Sequence, residues 1–87
     1  MNILKALERL PKLSDVQLEH LLQLIDNDIV NYKNAIVNYD ERNMEKFGKP
    51  FLNILSDQKI SVLDELIKRT DDPKWRHLKI KEVLSKS

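Results

Sequence analysis

The chain has 87 residues, 41% of them hydrophobic, a net charge of +1, one Gly, three Pro and no Cys. A single domain of this size buries roughly two-thirds of its unfolded surface, which argues against a large internal substrate cavity. Without Cys there are no disulfides, thiolate nucleophiles or zinc fingers, and so little Gly and Pro withholds the turns that a sheet of short strands needs.

Ile3, Leu4, Leu7 and Leu10 lie at i, i+1, i+4 and i+7, one side of a first helix over about 2–10 that Pro11 ends. Ser14-Asp15-Val16-Gln17 then reads as a capping box, with Leu13 and Leu18 placed as a hydrophobic staple. From this start Leu18, Leu22, Ile25, Ile29, Tyr32, Ile36 and Phe47 fall on one stripe of a 3.6-residue helix, and Asn27, Asn31, Asn34 and Asn38 fall opposite. The pattern predicts one long central helix over about 15–46, about 50 Å long at 1.5 Å per residue. Asp40 and Asn43 return to the apolar stripe, so 39–43 is where such a helix would leave the core, bend or stop. Its neighbours in sequence are too short to cover a continuous helix. The stripe near Tyr39, Met44 and Phe47 is therefore expected to be exposed and to pair with a partner or a second copy.

Gly48-Lys49-Pro50 is expected to end the long helix through a left-handed Gly cap. A helix over about 51–70 follows, with Phe51, Leu52, Leu55, Ile60, Val62, Leu63, Leu66 and Ile67 spread over close to half its circumference, the mark of the most buried helix. Leu55–Ile67 matches Leu13–Ile25 at six of thirteen positions. Two copies are too few for a solenoid, so the match reads as the same helix-opening solution used twice, with Ser56 restarting the helix after a turn. Asp71-Asp72-Pro73 signals a last helix over about 73–84, although Leu78, Ile80, Glu82 and Leu84 also alternate as a strand does. The fold expectation is all-α, a small three- to four-helix bundle in one domain spanning 1–87.

Charge is polarised along the sequence. Residues 14–47 hold seven acids (Asp15, Glu19, Asp26, Asp28, Asp40, Glu41, Glu45) against three bases (Lys33, Arg42, Lys46), a balance of −4. Residues 68–87 hold seven bases (Lys68, Arg69, Lys74, Arg76, Lys79, Lys81, Lys86) against three acids (Asp71, Asp72, Glu82), a balance of +4. The two regions are expected to face each other; the alternative is a basic tail for an acidic partner.

Chemistry is sparse. Neither His20 nor His77 has a His, Asp or Glu at i±4, so neither starts a metal pair on a helix face. Asp26-Asn27-Asp28 opens like a calcium loop, but Val30 and Asn31 stand where an oxygen ligand and a turn Gly are needed. With no Gly-rich phosphate loop, and Ser residues that read as caps or tail, no catalytic residue, cofactor or metal site is assigned and no enzymatic activity is expected. The Asn row reads as a water-facing surface, and Tyr32 and Tyr39 as core or core edge.

Lys74-Trp75-Arg76-His77-Leu78-Lys79-Ile80-Lys81 is the stretch with most functional character. Its bases can contact phosphates while Trp75 stacks, or Trp75 can plug the bundle and leave the lysines solvated. The preferred expectation is a protein-interaction module (adaptor, inhibitor, antitoxin or immunity-like factor) presenting a helix face, with Trp75, Arg76, Lys79, Lys81, Tyr39, Met44 and Phe47 as contact residues. The alternative is an accessory nucleic-acid binder using 74–81. The charged N-terminus, without a cleavage site, and the lack of about 18 consecutive apolar residues predict a soluble, cytoplasmic chain with no membrane partner; a homo-oligomer is compatible with the pattern.

Overall fold

In the computed structural model, which describes residues 2–37, 40, 42 and 44–86 (Phe47 by its backbone alone), the described elements are all helical. Helix α1 spans Ile3–Leu7, a 3₁₀ turn Leu10–Lys12, α2 Asp15–Ala35, a π turn Met44–Gly48, α3 Lys49–Arg69 and α4 Pro73–Ser85. The helices pack against one another as a small all-α bundle. Leu18, Leu21, Leu22, Ile25, Ile29, Leu55, Val62, Leu63, Leu66, Trp75 and Ala6 form one buried cluster.

Helix α1 is shorter than the expected 2–10. Pro11 has no N–H to offer the Leu7 carbonyl and disfavours helical backbone at Leu10, so the chain tightens into a 3₁₀ turn. Its bonds run from the Lys12 N–H to the Arg9 carbonyl, 2.9 Å, and from the Leu13 N–H to the Leu10 carbonyl, 3.2 Å. This turn is clamped from across the molecule by Arg69, in the last turn of α3. The Arg69 guanidinium donates to the carbonyls of Leu10 and Pro11 at 3.1 Å each and of Leu13 at 2.5 Å, and to the carboxylates of Asp15 at 3.0 Å and Glu65 at 3.1 Å. The bond to Asp15 foremost, with the pull of Glu65, holds the guanidinium above its ordinary value against some desolvation.

The capping box forms as expected: the Gln17 N–H donates to Ser14 Oγ at 3.1 Å, and the Ser14 N–H to Gln17 Oε1 at 2.9 Å. The helix it opens does not run to 46. It stops at Ala35, and Ile36 caps it with its N–H on the Tyr32 carbonyl. Beyond Ile36, which is buried, Val37 is largely exposed, and Asp40 brings a charge onto the stripe. Further turns there would bury little, and a segment rich in Asn gains little from intrinsic propensity. Asn38, Tyr39, Glu41 and Asn43 lie outside the described residues.

Gly48 does not act as a left-handed cap. Its φ of −71° and ψ of −56° are right-handed helical, and the π turn passes directly into α3, with Pro50 in the first turn of that helix, where its fixed φ suits helical backbone. What the small residue serves here is close packing: a Cβ at this position would lie 2.5 Å from Met44 Sδ and 3.2 Å from Ile36 Cδ1, so both side-chain ends would have to shift to admit one. Ser56 does not restart a helix either, because α3 is unbroken and Ser56 is buried in its middle. The second copy of the Leu-Ser-Asp motif thus opens nothing.

The central position falls to α3, which packs along both α2 and α4 and touches α1, while α2 and α4 meet chiefly through it. Asp72 caps α4 by accepting the Lys74 N–H at 3.0 Å, with Pro73 as the first helical residue, and the segment that could be read as a strand is helix throughout.

Candidate docking face on the last helix

Around the α4 axis, Trp75, Leu78, Lys79 and Glu82 share one side, and Arg76, Ile80 and Val83 lie about a third of a turn away, with Leu84 beyond them. The first set faces α3. Trp75 is 8% exposed within the core cluster, and Leu78 packs against that cluster. Glu82 accepts the Ser56 hydroxyl at 2.6 Å and sits 3.3 Å from Lys59 Nζ, whose other carboxylate is Asp26 of α2 at 2.7 Å. Burial alone would lower the pKa of Lys59. The bond to Asp26, with the attraction of Asp26 and Glu82, more than reverses this, so the ammonium titrates above its ordinary value. The polar cleft around these groups, about 230 Å³, is also lined by Lys33, Asn53 and Ser85. Among the described residues every buried side-chain N and O has a hydrogen-bond partner.

The outward set is different. Ile80, Val83 and Leu84 are 58%, 48% and 80% exposed, and with Ile67 of α3, Arg76 and Lys79 they line an open, mainly apolar groove of about 440 Å³. The one acid of α4, Glu82, is spent inside, so its exposed charge is wholly basic. Three of those bases are engaged. Lys79 pairs with Asp64 at 2.6 Å, Lys86 (the C-cap) with Asp57, and Lys74 with Asp72 at 3.7 Å while lying 4.5 Å above the Trp75 ring. Arg76 and Lys81 have no ion-pair partner among the described residues.

Protein-family models, curated proteins and solved structures give no match to this chain. Of the contact residues expected from sequence, Arg76, Lys79 and Lys81 come together on α4, but Trp75 is turned into the core and offers no surface for stacking. Met44 is half-buried against Gly48 at the other end of α3, Tyr39 lies outside the described residues, and the Phe47 side chain is not described. The stripe expected to lie bare along a continuous helix has no continuous helix to lie on.

Sequence reasoning missed the row Ile80, Val83, Leu84 as a surface and Glu82 as a part-buried acid facing α3. One signal was present: Glu82 sits at i+4 and i+7 from Leu78 and Trp75, so a stripe that buries those two carries the acid inward. The expected facing of acidic 14–47 and basic 68–87 holds directly at Asp15–Arg69. The remaining late bases with partners pair mostly on α3 or within their own segment. His20 and His77 are exposed, and among the described residues no three His, Cys, Asp or Glu side chains gather as metal ligands. No helix among the described residues is long and apolar enough to cross a membrane.

Proposed function

We propose that this chain is a non-enzymatic protein-interaction module that docks a protein partner on the α3–α4 groove. The observation carrying this reading is the apolar row Ile80, Val83 and Leu84 beside Ile67, which is left exposed by the described residues although Trp75, Leu78, Lys79 and Glu82 of the same helix are engaged with α3. Exposed apolar surface of this kind, rimmed by charge, is what helix-in-groove recognition uses. The polar cleft favours no catalysis: Ser56 is buried and donates across a helix interface, and Lys59 is held as an ammonium.

Arg76 and Lys81, which have no ion-pair partner among the described residues, favour nucleic acid as a second reading, but with Trp75 in the core the segment lacks the stacking platform that single-strand binding needs. Capture from source lysate with the wild type and with Ile80→Gln/Leu84→Gln tests the first reading. A stoichiometric protein retained by the wild type and lost by the variant supports it, and retention by both places docking elsewhere. Titration of labelled single- and double-stranded oligonucleotides at low and physiological salt tests the second. Affinity weaker than about 10⁻⁴ M at low salt eliminates it.

A further inference from the structure

We infer that the occupant of the α3–α4 groove is an amphipathic helix with acidic flanks, an inference that rests on the docking reading above. Ile80 and Leu84 are four residues apart and so form a row along α4, and Ile67 and Val83 widen it on one side. That spacing accepts the i, i+3, i+4, i+7 anchors of a helix laid along the groove. The two α4 cations without an ion-pair partner among the described residues stand to either side of Ile80 and Leu84. Arg76 stands one turn before Ile80 on the Val83 side, and Lys81 on the opposite side, about 100° round the helix from Ile80. Arg76 thus lies within the groove lining, between Ile80 and Val83, and Lys81 borders the Ile80–Leu84 row on its solvent side, so an incoming helix meets cations to either side of that row and is selected for acids at its flanking positions, as by the edge charges of coiled coils.

The alternatives fit less well. A second copy pairing α4 on α4 would bring two helices of like, basic surface charge together, with no exposed acid on either to answer it. The acids of α2 flank no such row, since its apolar stripe is in the core and Val16 and Val30 stand singly. A nucleic-acid backbone would meet the cations while leaving Ile80, Val83 and Leu84 against charge.

Two synthetic helical peptides of about 18 residues test this, sharing a Leu seam and carrying either Glu or Lys at the flanking positions, titrated against the full chain by fluorescence anisotropy. The Glu peptide is expected to bind at least about tenfold more tightly than the Lys peptide. Ile80→Gln/Leu84→Gln should abolish that binding, and Arg76→Glu/Lys81→Glu should invert the preference. Equal or tighter binding of the Lys peptide, still lost in the Gln variant, overturns the acidic partner while the docking face stands. No binding of either peptide, or binding indifferent to the Gln substitutions, overturns both. An oligonucleotide bound more tightly than the Glu peptide, or a dimer by sedimentation that the Gln variant dissolves, assigns the face to another occupant and overturns the proposal.

Discussion

On its α2 side, α3 meets a helix that gives five buried aliphatics to the core, Leu18, Leu21, Leu22, Ile25 and Ile29. On its α4 side it meets one buried residue, Trp75, a partly buried Leu78, and a set of polar links running Ser56–Glu82–Lys59, Asp64–Lys79 and Asp57–Lys86. Each buried aliphatic stabilises by about 1.5–3 kcal/mol, whereas a hydrogen bond or partly exposed ion pair nets about 1 kcal/mol or less. The α2 side therefore carries stability. The α4 side carries orientation: directional contacts fix which face of α4 turns inward, and a helix that needs to bury so little can present a second apolar row to a partner.

The largest expected effects lie on the dry side. Ile25→Ala and Leu63→Ala, both at fully buried positions, should each destabilise by about 2–5 kcal/mol in chemical denaturation, through lost transfer energy and residual cavity. A loss under about 0.5 kcal/mol at either site would break the contrast between the two sides.

Next comes the polar side. Glu82→Ala leaves Ser56 without its acceptor and Lys59 with Asp26 alone, and should cost about 1–3 kcal/mol. Because Glu82 orients α4, Trp75 fluorescence should shift to the red in the folded baseline, which a purely energetic loss would not produce. An unchanged emission maximum would show that Trp75 and Leu78 place the helix without help from the polar set.

The same network gives α3 a pH signature. The pKa of Lys59 in the folded chain is raised above its ordinary 10.5, so the stability it contributes is fully present below pH 10.5 and is lost as pH rises through the folded value. The stability gap between the wild type and Lys59→Met should accordingly be constant from neutral pH to about 10 and narrow above that. A gap that stays flat through the alkaline limb would mean that the Asp26 and Glu82 contacts do not favour the charged form.

How far each side could be read from sequence follows from what holds it. Burial leaves a periodic trace, so Leu22, Ile25, Ile29, Leu63 and Leu66 were legible as one core, and the local caps at Ser14 and Asp72 were legible from three or four residues. The end of α2 at Ala35 was not, because it depends on whether later turns find something to pack on, which is a tertiary fact. Gly48 misled for a related reason: its small size serves a contact with Met44 and Ile36 that no local rule anticipates. The polar side was least legible. Ser56 looked like Ser14, and the two roles differ only because α4 supplies Glu82 across 26 residues of chain. The row on α4 was hidden by its own mixture with an inward stripe that includes an acid, which blurs both helical periodicities.

The smallest effect on stability sharpens the comparison most. Ile80 and Leu84 are aliphatic like the buried residues of α2 but point outward, so Ile80→Gln/Leu84→Gln should change unfolding free energy by no more than about 0.5 kcal/mol. The helical circular dichroism should be unchanged and the urea slope equal to that of the wild type, since the area exposed on unfolding is nearly the same. If the double variant instead lost a kcal/mol or more, the row would be packing against something in the isolated chain and the groove would not be open to a partner. An unchanged stability would show that Ile80 and Leu84 add little to folding, as the docking reading requires of them. A variant that folds like the wild type and yet fails to hold the acidic peptide would separate these two uses of leucine and isoleucine within one chain.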